Sequence, residues 1–336
     1  MKRFYFLFIF LLFIAVYSIS VYALTPEEVQ LLKKAGVSDE KISEMQKKEG
    51  TPSAQAKKPI LKINPFDWDG DGKKDIIAGS ASGQVYVYLN TGTNQEPLFD
   101  KAIEIFGVKV IKYSKPFIVD WNNDGKKDVL VGAKPGTVSI FINKGENLNP
   151  VFADEIKLND EDLDVGFNSS PVTVDWNADG KKDILAGSSS GKVFIFLNKG
   201  NDAYPRFLDD EIKTSIRVTG YARPFIVDWN GDGKFDVICG SSDGKIYIFI
   251  NEGDIKFPKF GNALALQVNN EELKLPSPAS VIALDWNDDG KTDLVVSNKE
   301  NEQPRIYLLL NTGTREKPEF KELKPIKGKF RDDTVL

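Results

Sequence analysis

Residues 120–128 read DWNNDGKKD, and close copies stand at 67–75 (DWDGDGKKD), 175–183 (DWNADGKKD), 228–236 (DWNGDGKFD) and 285–293 (DWNDDGKTD). The starts are 53, 55, 53 and 57 residues apart, and the five tryptophans of the chain, Trp68, Trp121, Trp176, Trp229 and Trp286, all fall inside the copies. Each copy keeps Asp at positions 1, 5 and 9, Asp or Asn at 3, and Gly at 6. Oxygen side chains at 1, 3, 5 and 9 of a tight loop converge on one point, Gly at 6 allows the bend, and the carbonyl at 7 can turn inward. That is the ligand logic of an oxygen-only Ca²⁺ site. The first six positions match an EF-hand loop, but an EF-hand needs a bidentate Glu at position 12 and flanking helices. Position 12 here is Ala78, Val131, Ala186, Cys239 or Val296. The EF-hand is rejected, and the Asp at position 9 is left to close the site.

What surrounds each loop repeats as well. A short apolar run follows, such as DIIAG (75–79), then a glycine turn (SASG, KPG, SSSG or SSDG), then an alternating run such as VYVYLN or IYIFIN. Such β-branched and aromatic runs bounded by glycine are strands. A second motif, N-x-G-x-x-x-x-P-x-F, spans 90–99, 143–152, 198–207, 251–260 and 311–320. A further β-rich segment then leads to the strand that enters the next Asp loop. Each unit is therefore a four-stranded antiparallel meander, and a period of this length built from four strands predicts a propeller blade. Residues 59–336 hold 278 positions, room for five blades. The expected fold is all-β, a five-bladed propeller. Closure into a ring is expected because an open stack would expose two sheet faces. In the fifth unit the longer SNKENEQP (297–304) replaces the glycine turn, as befits a terminal repeat at the closure.

Loops of this kind in propeller repeats resemble the FG-GAP/VCBS repeat family, calcium-binding blades of the integrin α-chain head and of many secreted bacterial proteins. The resemblance covers residues 60–336; of the family's name-giving letters, GAKP (132–135) is the nearest match. It implies side-chain ligands Asp67, Asp69, Asp71 and Asp75 with the carbonyl of Lys73. Position by position it implies Asp120, Asn122, Asp124 and Asp128 with Lys126, and Asp175, Asn177, Asp179 and Asp183 with Lys181. Asp228, Asn230, Asp232 and Asp236 with Lys234 follow, then Asp285, Asn287, Asp289 and Asp293 with Lys291. Up to five Ca²⁺ would add ten charges and move the formal net charge from -5 to +5. The first site, with four Asp, is expected to bind most tightly. The alternative is an acid-rich turn that holds its own backbone by Asx bonds and needs no ion. The lysines at position 7 are expected to be solvated, with only their backbone carbonyls at work. Each Trp is expected to be a wedge between blades rather than a sugar-stacking platform.

Composition narrows the functional classes. With 41% hydrophobic and 28% charged residues the chain has ordinary globular composition, and its net charge of -5 with no basic stripe argues against a nucleic-acid partner. There is no His, which removes the commonest general acid/base. The single Cys239 excludes an intramolecular disulfide and takes a slot filled by small core residues in other copies. Residues 1–23 begin MKR, continue as an apolar run and end on small residues, which describes a signal peptide or, left uncut, an anchor. Both imply an exported protein that is secreted, periplasmic or on the cell surface, with membrane contact only through that segment. Residues 24–48 read as a helical hairpin and 49–58 as a linker.

The Asp loops and the N-x-G turns should share one face of the ring, and the glycine turns and the blade-to-blade crossings the other. Crossing lengths of 21, 23, 21 and 25 residues, from each Phe to the next Asp, concentrate the variation on the second face. A partner site is expected there, with Tyr113, Phe167, Asn168, Tyr221 and Arg223 as candidates. The functional expectation is a calcium-binding adhesion or binding module for a protein or glycan ligand, not an enzyme. The alternative is a polysaccharide-active propeller enzyme working through a carboxylate or Tyr–Arg site.

Overall fold

The computed structural model describes residues 66–335 apart from 159–162, 164, 208–210, 213, 277 and 302. The chain divides between Lys58 and Pro59, and every described residue lies in the second unit. The expected signal segment, helical hairpin and linker fall outside the described residues, as does most of the strand that would precede Asp67. Among the described residues no helix is long and apolar enough to cross a membrane.

The protein is a five-bladed β-propeller. Blade 2 shows the plan: Lys115–Val119, Asp128–Gly132, Val138–Asn143 and Phe152–Lys157 pair in sequence order, each antiparallel to the next. Blade 3 runs Ser170–Val174, Asp183–Gly187, Val193–Phe196 and Glu211–Ile212, and blade 4 runs Arg223–Val227, Asp236–Gly240, Ile246–Phe249 and Leu264–Ala265. Blade 5 runs Ser280–Leu284, Asp293–Glu300, Gln303–Leu309 and Lys324–Pro325. The second strands are buried along their whole length in blades 2, 3 and 4, because each sheet is covered on both faces by its neighbours.

Three of those second strands end in Gly for a steric reason. A Cβ on Gly132 would fall 2.3 Å from the Ser169 carbonyl, on Gly187 2.2 Å from that of Ala222, and on Gly240 2.4 Å from that of Ala279. In each case the crossing to the next blade passes directly over the strand end. Blade 5 places Ser297 at this position instead, and there the hairpin runs on to Glu300 and Gln303.

Ring closure is visible in the core. Apolar clusters join blade 1 to 2 (Trp68, Val87 with Val131, Phe152), 2 to 3 (Trp121, Leu130 with Ile184, Phe207) and 3 through 5 (Trp176, Val237, Phe260, Val296, Phe320). A fourth joins blade 5 back to blade 1, with Trp286, Val295 and Leu308 against Ile76, Ala78 and Tyr88. Blade 1 contains Ile76–Ser80, Gln84–Leu89 and Lys101–Lys109, and its inner edge is completed by Thr334–Val335. The segment before that strand also crosses onto blade 1. Lys327–Gly328 pairs with Leu98–Phe99, Phe330 packs on Tyr88 and Phe99, and the Tyr88 hydroxyl lies 2.8 Å from Thr334 Oγ1. The last strand thus fastens the first sheet, a contact that no local pattern announces.

The tryptophans are the wedges between blades. Trp121 donates its indole N–H to the Asp202 carbonyl of blade 3, and Trp286 to the Asn94 carbonyl of blade 1, both at 2.6 Å. Trp176 packs on Phe235 and Phe260 of blade 4, and Trp229 on Phe320 of blade 5. Trp68, Trp121, Trp176 and Trp286 are buried and offer no indole face to a sugar, while Trp229 is half-buried. Cys239 is buried as well, and burial pushes its thiol up to about 12, so it is an inert core residue.

Candidate metal centre

The repeated loop and the repeated turn form one hydrogen-bonded unit. The ninth-position carboxylate accepts the backbone N–H of the loop's own Trp on one oxygen and that of the turn's first Asn on the other. In blade 2 Trp121 N donates to Asp128 Oδ2 at 2.8 Å and Asn143 N to Oδ1 at 2.7 Å. The same pair of bonds recurs at Asp75, Asp183, Asp236 and Asp293. The turn's Asn then accepts two further backbone N–H groups on its own Oδ1, from Gly145 and Val151 in blade 2. The Asn at the first turn position thus anchors the turn to the loop, and loop and turn share one face of the ring.

Burial dominates the ninth position. It pushes Asp75, Asp183, Asp236 and Asp293 up to about 6 and raises Asp128, against the two backbone donors that favour the charged form; nearby loop carboxylates add to the rise. A cation beside these groups would reverse that balance.

The loop closes on its first residue. Gly125 N donates to Asp120 Oδ2 at 2.9 Å and Asp124 N to Oδ1 at 3.0 Å, and loops 3 and 5 repeat both bonds on Asp175 and Asp285. In loop 1 Gly70 and Gly72 donate to Asp67 at 2.7 and 2.8 Å. Each fifth-position Asp accepts the backbone N–H of the seventh-position Lys, as at Asp71 and Asp124, both 2.9 Å. In loop 1 carboxylate oxygens of Asp67, Asp69 and Asp71 all lie within 4.8 Å of one another. Asp75 stands outside that set, on its two backbone donors. Loops 2 to 5 carry Asn at position 3, and there Asn122, Asn177, Asn230 and Asn287 lie 3.1, 3.3, 3.2 and 3.3 Å from the fifth-position Asp oxygen.

Four of the seventh-position lysines, about one third exposed, do more than face water, which amends the expectation that only their carbonyls are at work. Lys73, Lys181, Lys234 and Lys291 pair with Asp71, Asp179, Asp232 and Asp289 at 2.7, 3.4, 3.3 and 3.5 Å. The same ammonium groups donate to the carbonyls of Asn90, Asn198, Asn251 and Asn311. The Lys73 ammonium bonded to Asp71 holds that carboxyl below its usual range, and Asp71 in turn raises Lys73. In loops 1, 3, 4 and 5 the side chain ties loop to turn and pairs with one carboxylate.

Donor chemistry fits a hard divalent cation. Every loop offers oxygens only, and the three clustered carboxylates of loop 1 repel one another. One Lys removes only part of that. In loop 4 the Asp228 Oδ1 is a buried oxygen without a hydrogen-bond partner, as expected of an oxygen reserved for something other than a protein donor.

Sequence reasoning overlooked a second tier. The fifth turn residue caps the loop: Asn94, Asn147 and Asp202 accept the backbone N–H of Lys74, Lys127 and Lys182 at 2.9, 2.8 and 2.9 Å. Those eighth-position lysines then reach back to the preceding blade. Lys74 meets Asp288 of blade 5 at 2.8 Å, Lys182 meets Asn123 of blade 2 at 2.8 Å, and Lys127 meets the Trp68 carbonyl of blade 1 at 3.3 Å. The signal was present: units 1 to 3 pair Asn or Asp at turn position 5 with Lys at loop position 8, while units 4 and 5 have Ile255 with Phe235 and Arg315 with Thr292.

On the other face, Tyr113 N, Asn168 N and Tyr221 N donate to carbonyls in the glycine turns, those of Ala81, Lys134 and Ser189. Crossings and glycine turns therefore do share a face. Tyr113, Phe167 and Tyr221 are exposed, and Tyr113, Asn168 and Tyr221 adopt φ of 54°, 59° and 42°. Arg223 departs from the expected surface group. It donates to Ser280 Oγ of blade 5, and burial lowers it to about 10, so it is part of the contact between blades.

A five-bladed ring with one acidic, oxygen-lined loop per blade defines a class of repeat propeller. The FG-GAP-like repeat family matches residues 120–186 and 228–296, which hold loops 2 to 5. Integrin alpha-6 of Gallus gallus is 28% identical over 57% of this chain and 19% of its own length; cartilage acidic protein 1 of Xenopus tropicalis is 27% identical over 43% and 22%. The chain thus spans about a fifth of these relatives. Among solved structures, BBS1N in complex with ARL6DN aligns over 73% of this chain and 79% of its own at 13% identity, with a TM-score of 0.38. FG-GAP-like repeats thus hold four of the five loops, and the chain is similar to an integrin alpha chain in its sequence.

Proposed function

We propose that the protein is an exported, calcium-stabilised propeller that acts as a binding or adhesion module for a protein or glycan partner, without a catalytic centre. The observation that carries this reading is the close approach of the Asp67, Asp69 and Asp71 carboxylates in a loop whose plan recurs once per blade. Bound calcium would neutralise the clustered charge, with the side chains at positions 1, 3, 5 and 9 and the position-7 carbonyl as ligands in all five loops. The chain's own part is to hold those oxygens in place through the turn Asn, the ninth-position Asp and the seventh-position Lys. Similarity to an integrin alpha chain supports both the metal and the adhesive role. The partner is met on the crossing face, where the units differ and Tyr113, Phe167 and Tyr221 are exposed. Calorimetric titration of chelator-stripped protein with Ca²⁺ tests the metal, with loop 1 filling first. A protein and glycan array probed with and without Ca²⁺ tests the partner; no uptake of calcium, or no ligand in either condition, refutes the corresponding half.

A further inference from the structure

The fourth loop differs from the other four in a way the repeat does not require. In loops 2, 3 and 5 the first Asp accepts the fifth-position N–H on Oδ1, and in loop 1 it accepts Gly70 N there. Asp228 Oδ1 has no hydrogen-bond partner, and Asp228 Oδ2, besides the Gly233 N–H at 3.2 Å, faces Arg315 Nη2 at 3.3 Å. Arg315 comes from the turn of blade 5, at the position where blades 1 to 3 carry the capping Asn94, Asn147 and Asp202. Its neighbour Glu316 lies against the same loop. A Cβ on Gly231 would fall 3.1 Å from Glu316 Cγ, and Gly231 stands where loops 2, 3 and 5 have Asn123, Ala178 and Asp288.

Loop 4 therefore has a protein cation on the carboxylate that backbone N–H groups hold in loops 1, 2, 3 and 5. Resting on the calcium reading above, we propose that Arg315 is an internal competitor for the fourth site, which makes it the weakest of the five and couples its loading to the junction of blades 4 and 5. The guanidinium cannot be deprotonated, so a Ca²⁺ that uses Asp228 must displace Arg315 or coexist with its charge. Arg315 is half exposed and free to swing away on its own stem, so the competition is reversible. Glu316, already over the loop, is then the acidic group best placed to face the incoming ion. The fourth site becomes the one that responds to calcium within a range in which the others stay filled.

The test is a calcium isotherm on full-length protein, wild type beside Arg315→Gln and Arg315→Lys. Wild type should show one ion bound more weakly than the rest. In Arg315→Gln that ion should tighten roughly tenfold at low ionic strength, with the other ions unmoved, and in Arg315→Lys it should stay weak. Added salt should narrow the difference. Superimposable wild-type and Arg315→Gln isotherms, in a protein that does bind calcium, overturn the role of Arg315 and leave the metal sites standing. A wild type that takes up no calcium overturns both. Melting in chelator gives a readout without metal: Arg315→Gln should melt slightly lower than wild type there and should lose that deficit at saturating Ca²⁺. A deficit that is unchanged by Ca²⁺ marks Arg315 as a structural staple only and refutes the competition.

Discussion

The two faces of the ring are built by different means. On the loop face one polar design is copied five times, and side chains do the bonding: Asp128 ties Trp121 to Asn143, and Asn143 ties the turn. On the crossing face backbone donors share the task with buried serines: Tyr113 N, Asn168 N and Tyr221 N reach carbonyls of the glycine turns, and Ser114 and Ser169 hydroxyls donate to those of Gln84 and Thr137. Where side chains hold the structure, as at the ninth-position Asp and the first turn Asn, their identity is the same in all five units. Where main chain holds it, side chains are free to differ, and a partner site can be placed there at little cost in stability.

Removal of calcium should break this contrast most severely. Chelation is expected to lower the melting temperature by at least about 10 °C, since several ions that bind only the folded state stabilise it together. Scanning calorimetry with and without chelator measures it, and coincident curves refute it. Next comes Trp121→Ala, which removes a buried wedge and the indole bond to Asp202 and should destabilise by about 3–5 kcal/mol in denaturant titration.

A smaller effect sharpens the role of the ninth position. Asp75, Asp183, Asp236 and Asp293 sit near 6 in the folded chain, above the usual carboxylate value, so without metal the folded state holds more protons than the unfolded one. Stability of the stripped protein should therefore fall as pH rises from about 4 to 6. Ca²⁺ needs the ionised form, so its stabilising increment should grow over the same window. Melting curves at pH 5 and 7, each with and without Ca²⁺, check both signs. The smallest stability effect belongs to the other face: Tyr221→Ala should shift stability by no more than about 0.5 kcal/mol while weakening partner binding.

Much of this was legible in the letters. The Asp loop closes within nine residues and the turn within ten, so their bonds are between near neighbours and leave a motif. The strand plan, the count of five blades and the Trp wedges follow from repetition. The ion pairs of four seventh-position lysines are not legible because their use depends on where the turn's carbonyl lies, 17 residues on in the case of Lys73 and Asn90. The sequence neighbours of Arg223 belong to a crossing and suggest a surface group; only the packing of blade 4 on blade 5 puts it against Ser280.

The sequence by itself determined the unit: four strands, an oxygen-lined loop, an Asn–Pro–Phe turn and their fivefold succession, because each is stabilised by contacts between residues close along the chain. Tertiary structure alone decided how the units meet. The Thr334–Val335 strand fastens blade 1, Lys74 reaches Asp288 across 214 residues, and Arg315 finds Asp228 across 87. Such pairings are chosen by ring geometry, which brings the last blade beside the first and aligns each turn with the loop before it.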